Sequence, residues 1–130
     1  KIENKLSFWD LDLSLVLNPT SSRAILIGDA AHSIHPLAGQ GLNLSLRDCG
    51  SALNAIENCL KFGNDLGAES ILEFYKRERL PKNISMTAFT DLMFFGFTST
   101  SNKTKALLTK GMENLNKTNL KNIFRDLASI

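Results

Sequence analysis

Cysteine is scarce in this 130-residue sequence, and Cys49 and Cys59 alone make no disulfide framework. Nor do they stand at metal-type spacing from the two histidines, His32 and His35. No run of about 18 uncharged apolar residues exists, so a membrane-spanning helix is not expected. No signal-peptide pattern is visible. The dinucleotide fingerprint is missing too, because the third glycine of a GxGxxG begun at Gly39-Gln40-Gly41 would fall on Leu44. A GxxxxGK[ST] phosphate loop is likewise absent. What is present argues against disorder: 43% of the residues are hydrophobic and 22% are charged. The sequence starts at Lys1 rather than Met, which leads us to expect a piece of a larger protein.

Charge is unevenly distributed. Residues 1–100 carry 9 basic and 11 acidic groups, a net of −2, whereas residues 101–130 carry 6 and 2, a net of +4. A basic segment can meet nucleic acid or an anionic membrane surface. Here Lys103, Lys105, Lys110, Lys117 and Lys121 are diluted by Asn and Thr and form no dense run. A solvated helix face is the simpler reading, and nucleic acid is not expected as a partner.

From Leu6 to Leu17 apolar and polar residues alternate, the two-residue period of a half-buried strand. A turn cluster follows at residues 18–22. The short apolar run Ala24-Ile25-Leu26-Ile27 reads as a buried strand of a covered, parallel sheet. Beyond a loop with Pro36, Gly39 and Gly41, the residues Leu42, Leu46, Cys49, Leu53, Ile56 and Leu60 form one apolar stripe over five helical turns. That stripe is expected to pack on the sheet, with Cys49 in the core. A second helix is expected to open near Glu69-Ser70 and to be kinked or interrupted at Pro81. Residues 84–97 are rich in phenylalanine, and two shorter helical patterns follow. Phe89, Phe94, Phe95 and Phe97 read either as core or as an apolar patch for a lipid, a membrane or a partner subunit. Two strands cannot make a sheet covered on both faces, so further strands must lie elsewhere.

The chemistry concentrates in residues 23–48. A buried strand ends at Gly28-Asp29, and a glycine-rich loop feeds the start of a long helix. Open α/β sheets bind ligands outside the carboxyl ends of their strands. Glycine lets a backbone approach a ligand closely, and a helix N-terminus offers free N–H groups and partial positive charge. On spacing alone, a structural strand–loop–helix corner fits equally well.

The residues Gly28, Asp29, Ala30, Ala31, His32, Pro36, Gly39, Gly41, Asn43 and Asp48 resemble the second FAD-binding motif of the class A flavoprotein monooxygenases. The continuous string from His35 to Leu44, followed by Arg47-Asp48, is similar to the ubiquinone-biosynthesis hydroxylases within that group. The resemblance covers residues 23–60, and Tyr75 to Arg79 is weakly similar to the helix that follows in the family. That group often carries glycine where Ser45 stands, a change expected to matter little.

The resemblance implies a fold and a division of the chain. The fold is α/β, a C-terminal fragment of an FAD-binding, Rossmann-like architecture of the p-hydroxybenzoate hydroxylase type, with two strands followed by mostly helices. Residues 1–22 would hold the last strand of a substrate domain and a turn, residues 23–62 the FAD motif, and residues 63–130 a helical region. Asp29 would accept a hydrogen bond from a ribityl hydroxyl, with Gly28 keeping the backbone clear. Pro36 would lie beside the flavin ring, Gly39 would belong to the cofactor-binding loop, and the backbone amides around Gly41, Leu42 and Asn43 would face the pyrimidine edge of the ring. Oxidation chemistry would belong to the cofactor, so no catalytic side chain and no metal ligand is assigned. His32 would hydrogen-bond within the motif turn, His35 would line the cavity, Asp48 would complement the helix charge or bind backbone, and Arg47 would be a surface or interdomain ion-pair partner.

The activity so implied is hydroxylation of the ring of a polyprenylated phenol, with FAD, O2 and NAD(P)H or another electron donor. A membrane contact or ubiquinone-pathway proteins would be partners, and the location would be cytoplasmic, peripheral at the inner membrane. Without the N-terminal ADP-binding unit, the fragment alone is expected to bind FAD poorly and to be inactive. Another class A hydroxylase or epoxidase acting on a small aromatic, and a non-catalytic helical interaction module, remain open as alternatives.

Overall fold

The computed structural model describes residues 12–36 and 39–117. The Leu6–Leu11 half of the expected first strand, Leu37-Ala38 of the loop string, and the basic residues beyond Lys117 lie outside the described residues. Within them, the order is β1 (Ser14–Leu15), β2 (Thr20–Ser21), β3 (Ala24–Ile25), a 3-10 turn (Gly28–Ala30), β4 (His32–Ser33), α1 (Gly41–Lys61), α2 (Glu69–Thr98) and α3 (Asn102–Lys117). A few short strands followed by helices make this an α/β arrangement.

The strands differ from expectation. β2 and β3 form an antiparallel hairpin, pairing Thr20 with Ile25 and Ser21 with Ala24. β1 pairs antiparallel with β4, Ser14 opposite Ser33 and Leu15 opposite His32. The apolar run 24–27 is therefore no strand of a parallel sheet among the described residues, and Leu26 is exposed. The turn cluster explains the outcome. Arg23 takes a left-handed φ of 59°, which closes the two-residue turn between β2 and β3. Its guanidinium then grips Asp65 at 2.6 and 2.9 Å, tying the hairpin to the α1–α2 connection. Leu13 and Leu17, on the face expected to be buried, are exposed.

The helices carry the core, and α1 is turned opposite to expectation. Its buried residues are Leu44, Asp48, Ser51, Ala52, Ala55 and Cys59. Leu42, Leu46, Leu53, Ile56 and Leu60 are exposed, at 70% for Leu42 and 62% for Leu60, and Cys49 is exposed as well. The two stripes are offset by two residues, about 200° around a helix. The buried stripe is mainly of small residues, which suit close packing on α2, and it leaves the leucines facing away.

Helix α2 runs 30 residues without interruption through Pro81. Proline removes one backbone donor and costs about 3 kcal/mol inside a helix. Burial on both sides offsets this: Tyr75, Arg79, Asn83, Met86, Thr87 and Thr90 share the inner face. Phe94, Phe95 and Phe97 are exposed, so this end of α2 is not core. α3 returns against it, with Leu108 over Gly96, where any Cβ would stand 2.5 Å from the leucine. Among the described residues, no helix is long and apolar enough to cross a membrane.

Candidate functional site

Between the β3–β4 connection and the start of α1 lies an open cavity of about 800 Å³. Six of the seven predicted site residues line it: Gly28, Asp29, Pro36, Gly39, Gly41 and Leu42. The seventh, Asn43, stands beside it, its Nδ2 donating to Gln40 Oε1 at 3.1 Å. Ile27, His32, Ile34 and Ser45 complete much of the wall.

Local chemistry builds this wall. Gly28 takes φ +62°, a conformation that L side chains rarely adopt. A Cβ there would stand 3.0 Å from Ser45 Oγ, so the glycine is needed for contact with α1 as well as for its φ. The position of Ser45 therefore matters: a small residue is required there to seat Gly28. The turn closes with Ala31 N–H on Gly28 O at 2.8 Å, and Val16 N–H binds Ala31 O at 2.8 Å.

Around Gly39, at φ +60°, and Gly41, no described residue beyond their immediate chain surroundings comes within 4 Å of where a Cβ would be. Their backbone is bare toward open space. The first bond of α1 runs from Leu44 N–H to Gln40 O at 2.9 Å, and Gln40 makes no side-chain cap. No acidic residue stands in the first turn. The amides of Gly41, Leu42 and Asn43 are thus the uncapped, electropositive end of a 21-residue helix. Asp29 is exposed at the cavity, with no hydrogen-bond partner among the described residues. An acceptor for a ligand hydroxyl and an electropositive amide edge suited to negative charge share one wall.

Behind the wall is a buried polar centre. Asp48, wholly inaccessible, accepts from Gly28 N–H at 3.0 Å and His32 Nε2–H at 2.6 Å through Oδ2. Through Oδ1 it accepts from Arg79 Nε–H at 2.7 Å and Asn83 Nδ2–H at 3.3 Å. Burial alone would raise its pKa, but the hydrogen bonds from His32, Arg79 and Gly28, with the charge of Arg79, outweigh it and bring it down to about 2. Tyr75 donates to Leu26 O at 2.8 Å, and burial pushes its phenol up. Arg47 has its pKa lowered by burial and by the nearby Arg79 charge.

The histidines depart from expectation in that His32, not His35, lines the cavity. His32 lines the cavity and is bound to Asp48 across the turn. His35 lies outside the cavity lining, its ring stacked on Phe94 at 4.0 Å and its Nε2 3.7 Å from Asp91 Oδ1. Arg79 and Asn83 were not expected at the site. The only sequence signal was the similarity of Tyr75 to Arg79, together with the i, i+4 spacing of Tyr75, Arg79 and Asn83 on one helix face.

The FAD binding domain family matches residues 4–90. The chain belongs to the FAD-binding domain family. Within that family, the chain is similar to monooxygenases and hydroxylases of ubiquinone biosynthesis. It is 35% identical over 121 residues to the mitochondrial ubiquinone biosynthesis monooxygenase COQ6 of Dictyostelium discoideum, covering 92% of this chain and 24% of that protein. It is 39% identical over 74 residues to the 3-demethoxyubiquinol 3-hydroxylase of Escherichia coli, covering 57% and 19%. Human COQ6 is 38% identical over 94 residues, covering 72% and 20%. The chain spans about a quarter or less of the length of these relatives. No solved structure matches it. In an FAD-binding domain, the donor set of the cavity fits the cofactor: Asp29 as acceptor and the α1 amides as the edge that meets negative charge.

Proposed function

We propose that this chain is the flavin-side corner of an FAD-dependent monooxygenase that hydroxylates the ring of a polyprenylated phenol in ubiquinone biosynthesis. The observation that carries the reading is the convergence of Gly28, Asp29, Pro36, Gly39, Gly41 and Leu42 on one cavity at an uncapped helix end. Asp29 would hold a ribityl hydroxyl. The amides of Gly41, Leu42 and Asn43 would stabilise negative charge on the pyrimidine edge of the ring, while Pro36 packs beside it. FAD, when bound, supplies the redox chemistry with O2 and electrons from NAD(P)H or a comparable donor. The chain's own task is binding, orientation and electrostatics.

The remaining parts of the enzyme would lie in the rest of the parent protein. The leucine stripe of α1 supports this: a helix apolar on opposite faces suits burial between two layers, and α2 supplies only one. We assign the second layer to the parent's Rossmann-like sheet, in the p-hydroxybenzoate hydroxylase arrangement, with the 1–22 segment belonging to the substrate domain. Exposed Phe95 and Phe97 on α2, with Leu107 and the lysines of α3, favour a peripheral contact with an anionic membrane, where a polyprenylated substrate would reside.

The test is to purify the full-length parent, measure its flavin content, and assay hydroxylation of a polyprenylated phenol and of soluble phenols. Bound FAD with turnover of the prenylated phenol is expected. Turnover of soluble phenols alone would point to a different class A hydroxylase, and absence of flavin would refute the reading.

A further inference from the structure

Asp48 divides its two oxygens between two parts of the molecule. Oδ2 faces the cavity wall and takes Gly28 N–H and His32 Nε2–H, while Oδ1 faces α2 and takes Arg79 and Asn83. Four donors match the roughly four acceptor sites of an ionised carboxylate, so the group has no freedom left. Arg79 is itself held, because its second nitrogen donates to Asn83 Oδ1 at 3.0 Å and reaches Leu44 O at 3.5 Å. All of these side chains are buried.

We propose that Arg79 is a positioning residue for the cavity: by occupying Asp48 Oδ1 it fixes Oδ2 as the anchor of the Gly28 amide, and so sets where Asp29 and His32 stand in the wall. This rests on reading the cavity as the flavin site. The chemistry favours arginine over lysine. A planar guanidinium donates to Asp48 and Asn83 at once, whereas an ammonium is a point charge without that fixed fork. Without the arginine, Asp48 keeps only Asn83 on its outer oxygen. A buried carboxylate so deprived takes up a proton more readily, which weakens its hold on Gly28 in weak acid. The ionisable groups around it are His32 from the loop, Tyr75 and Arg79 from α2, and Arg47 and Cys49 on α1 near Arg79 and Tyr75.

The experiment uses the full-length parent as wild type, Arg79→Met and Arg79→Lys. FAD affinity is measured by titrating the flavin-free proteins from about pH 5 to about pH 8, a range bracketing weak acid for a perturbed carboxylate. Hydrogen exchange of the peptide spanning residues 26–36 is followed in the same flavin-free proteins. Arg79→Met is expected to bind FAD roughly tenfold or more weakly, the scale of one charge-assisted hydrogen bond. Its deficit grows toward acid, and its loop exchanges faster. Arg79→Lys is expected to fall between the two. Wild-type affinity, pH profile and loop exchange in either variant would overturn the proposal, and so would a loss equal at every pH. If Arg79→Met does not fold, the lysine variant carries the test alone. Failure of the wild type itself to bind FAD would instead refute the flavin reading.

Discussion

Arg79 Nε and Asp48 Oδ1 stand 2.7 Å apart between α2 and α1, and both side chains are essentially closed to solvent. The pair joins residues 31 positions apart, and through Asp48 Oδ2 it reaches the Gly28 amide at the cavity wall. Removing one partner of such a pair leaves a buried charge or a buried donor uncompensated. Asp48→Ala is therefore expected to destabilise by about 3–5 kcal/mol. The thermal midpoint of the flavin-free parent measures this, and a variant as stable as wild type would contradict the network.

The same group gives an acid signature. Its folded pKa of about 2 lies below the ordinary value of 3.8, burial being outweighed by the donors around it. The folded state therefore binds fewer protons than the unfolded one, and the stabilisation is complete above the unfolded pKa. It fades as pH falls through 4 toward 2, and it amounts to about 2 kcal/mol. Stability measured against pH for wild type and Asp48→Asn should stay a constant distance apart above pH 4 and converge as pH falls from 4 toward 2. Parallel curves would count against the assignment.

Gly28 sits against Ser45 at φ +62°. Gly28→Ala is expected to cost about 1–2 kcal/mol for the left-handed backbone, with a further cost for the overlap with Ser45. Adding Ser45→Gly should recover the steric share and leave the backbone share. A double variant no better than Gly28→Ala would show that Ser45 is not the obstacle.

How far the sequence reveals this arrangement depends on the residue type. The cavity loop is legible because Gly28, Pro36, Gly39 and Gly41 have narrow conformational uses, and the opening of α2 at Glu69 is legible from its helical pattern. The facing of α1 is not. It carries two stripes, and periodicity picks the leucines, whereas the structure buries small residues and Asp48 against α2. Arg79 and Asn83 resist reading for a related reason: a polar residue on a helix looks solvated until its partner is found in space. The β2–β3 hairpin misleads because its outcome hangs on one positive φ at Arg23, which no apolar pattern announces.

The leucine stripe yields a test of its own. Leu53, 55% exposed here, would face the sheet of the parent. Leu53→Lys in the full-length protein should then lower stability by about 2–5 kcal/mol, the range for loss of a buried leucine. An unchanged thermal midpoint would mean that nothing covers this face.

The flavin content of full-length protein carrying Asp29→Ala tests the central claim most directly. Asp29 is exposed and makes no hydrogen bond among the described residues, so its loss should leave the thermal midpoint of the flavin-free protein where it was. FAD retention should fall roughly tenfold or more, as expected when a charged acceptor is removed from a ligand hydroxyl. Equal flavin content in variant and wild type would contradict the account.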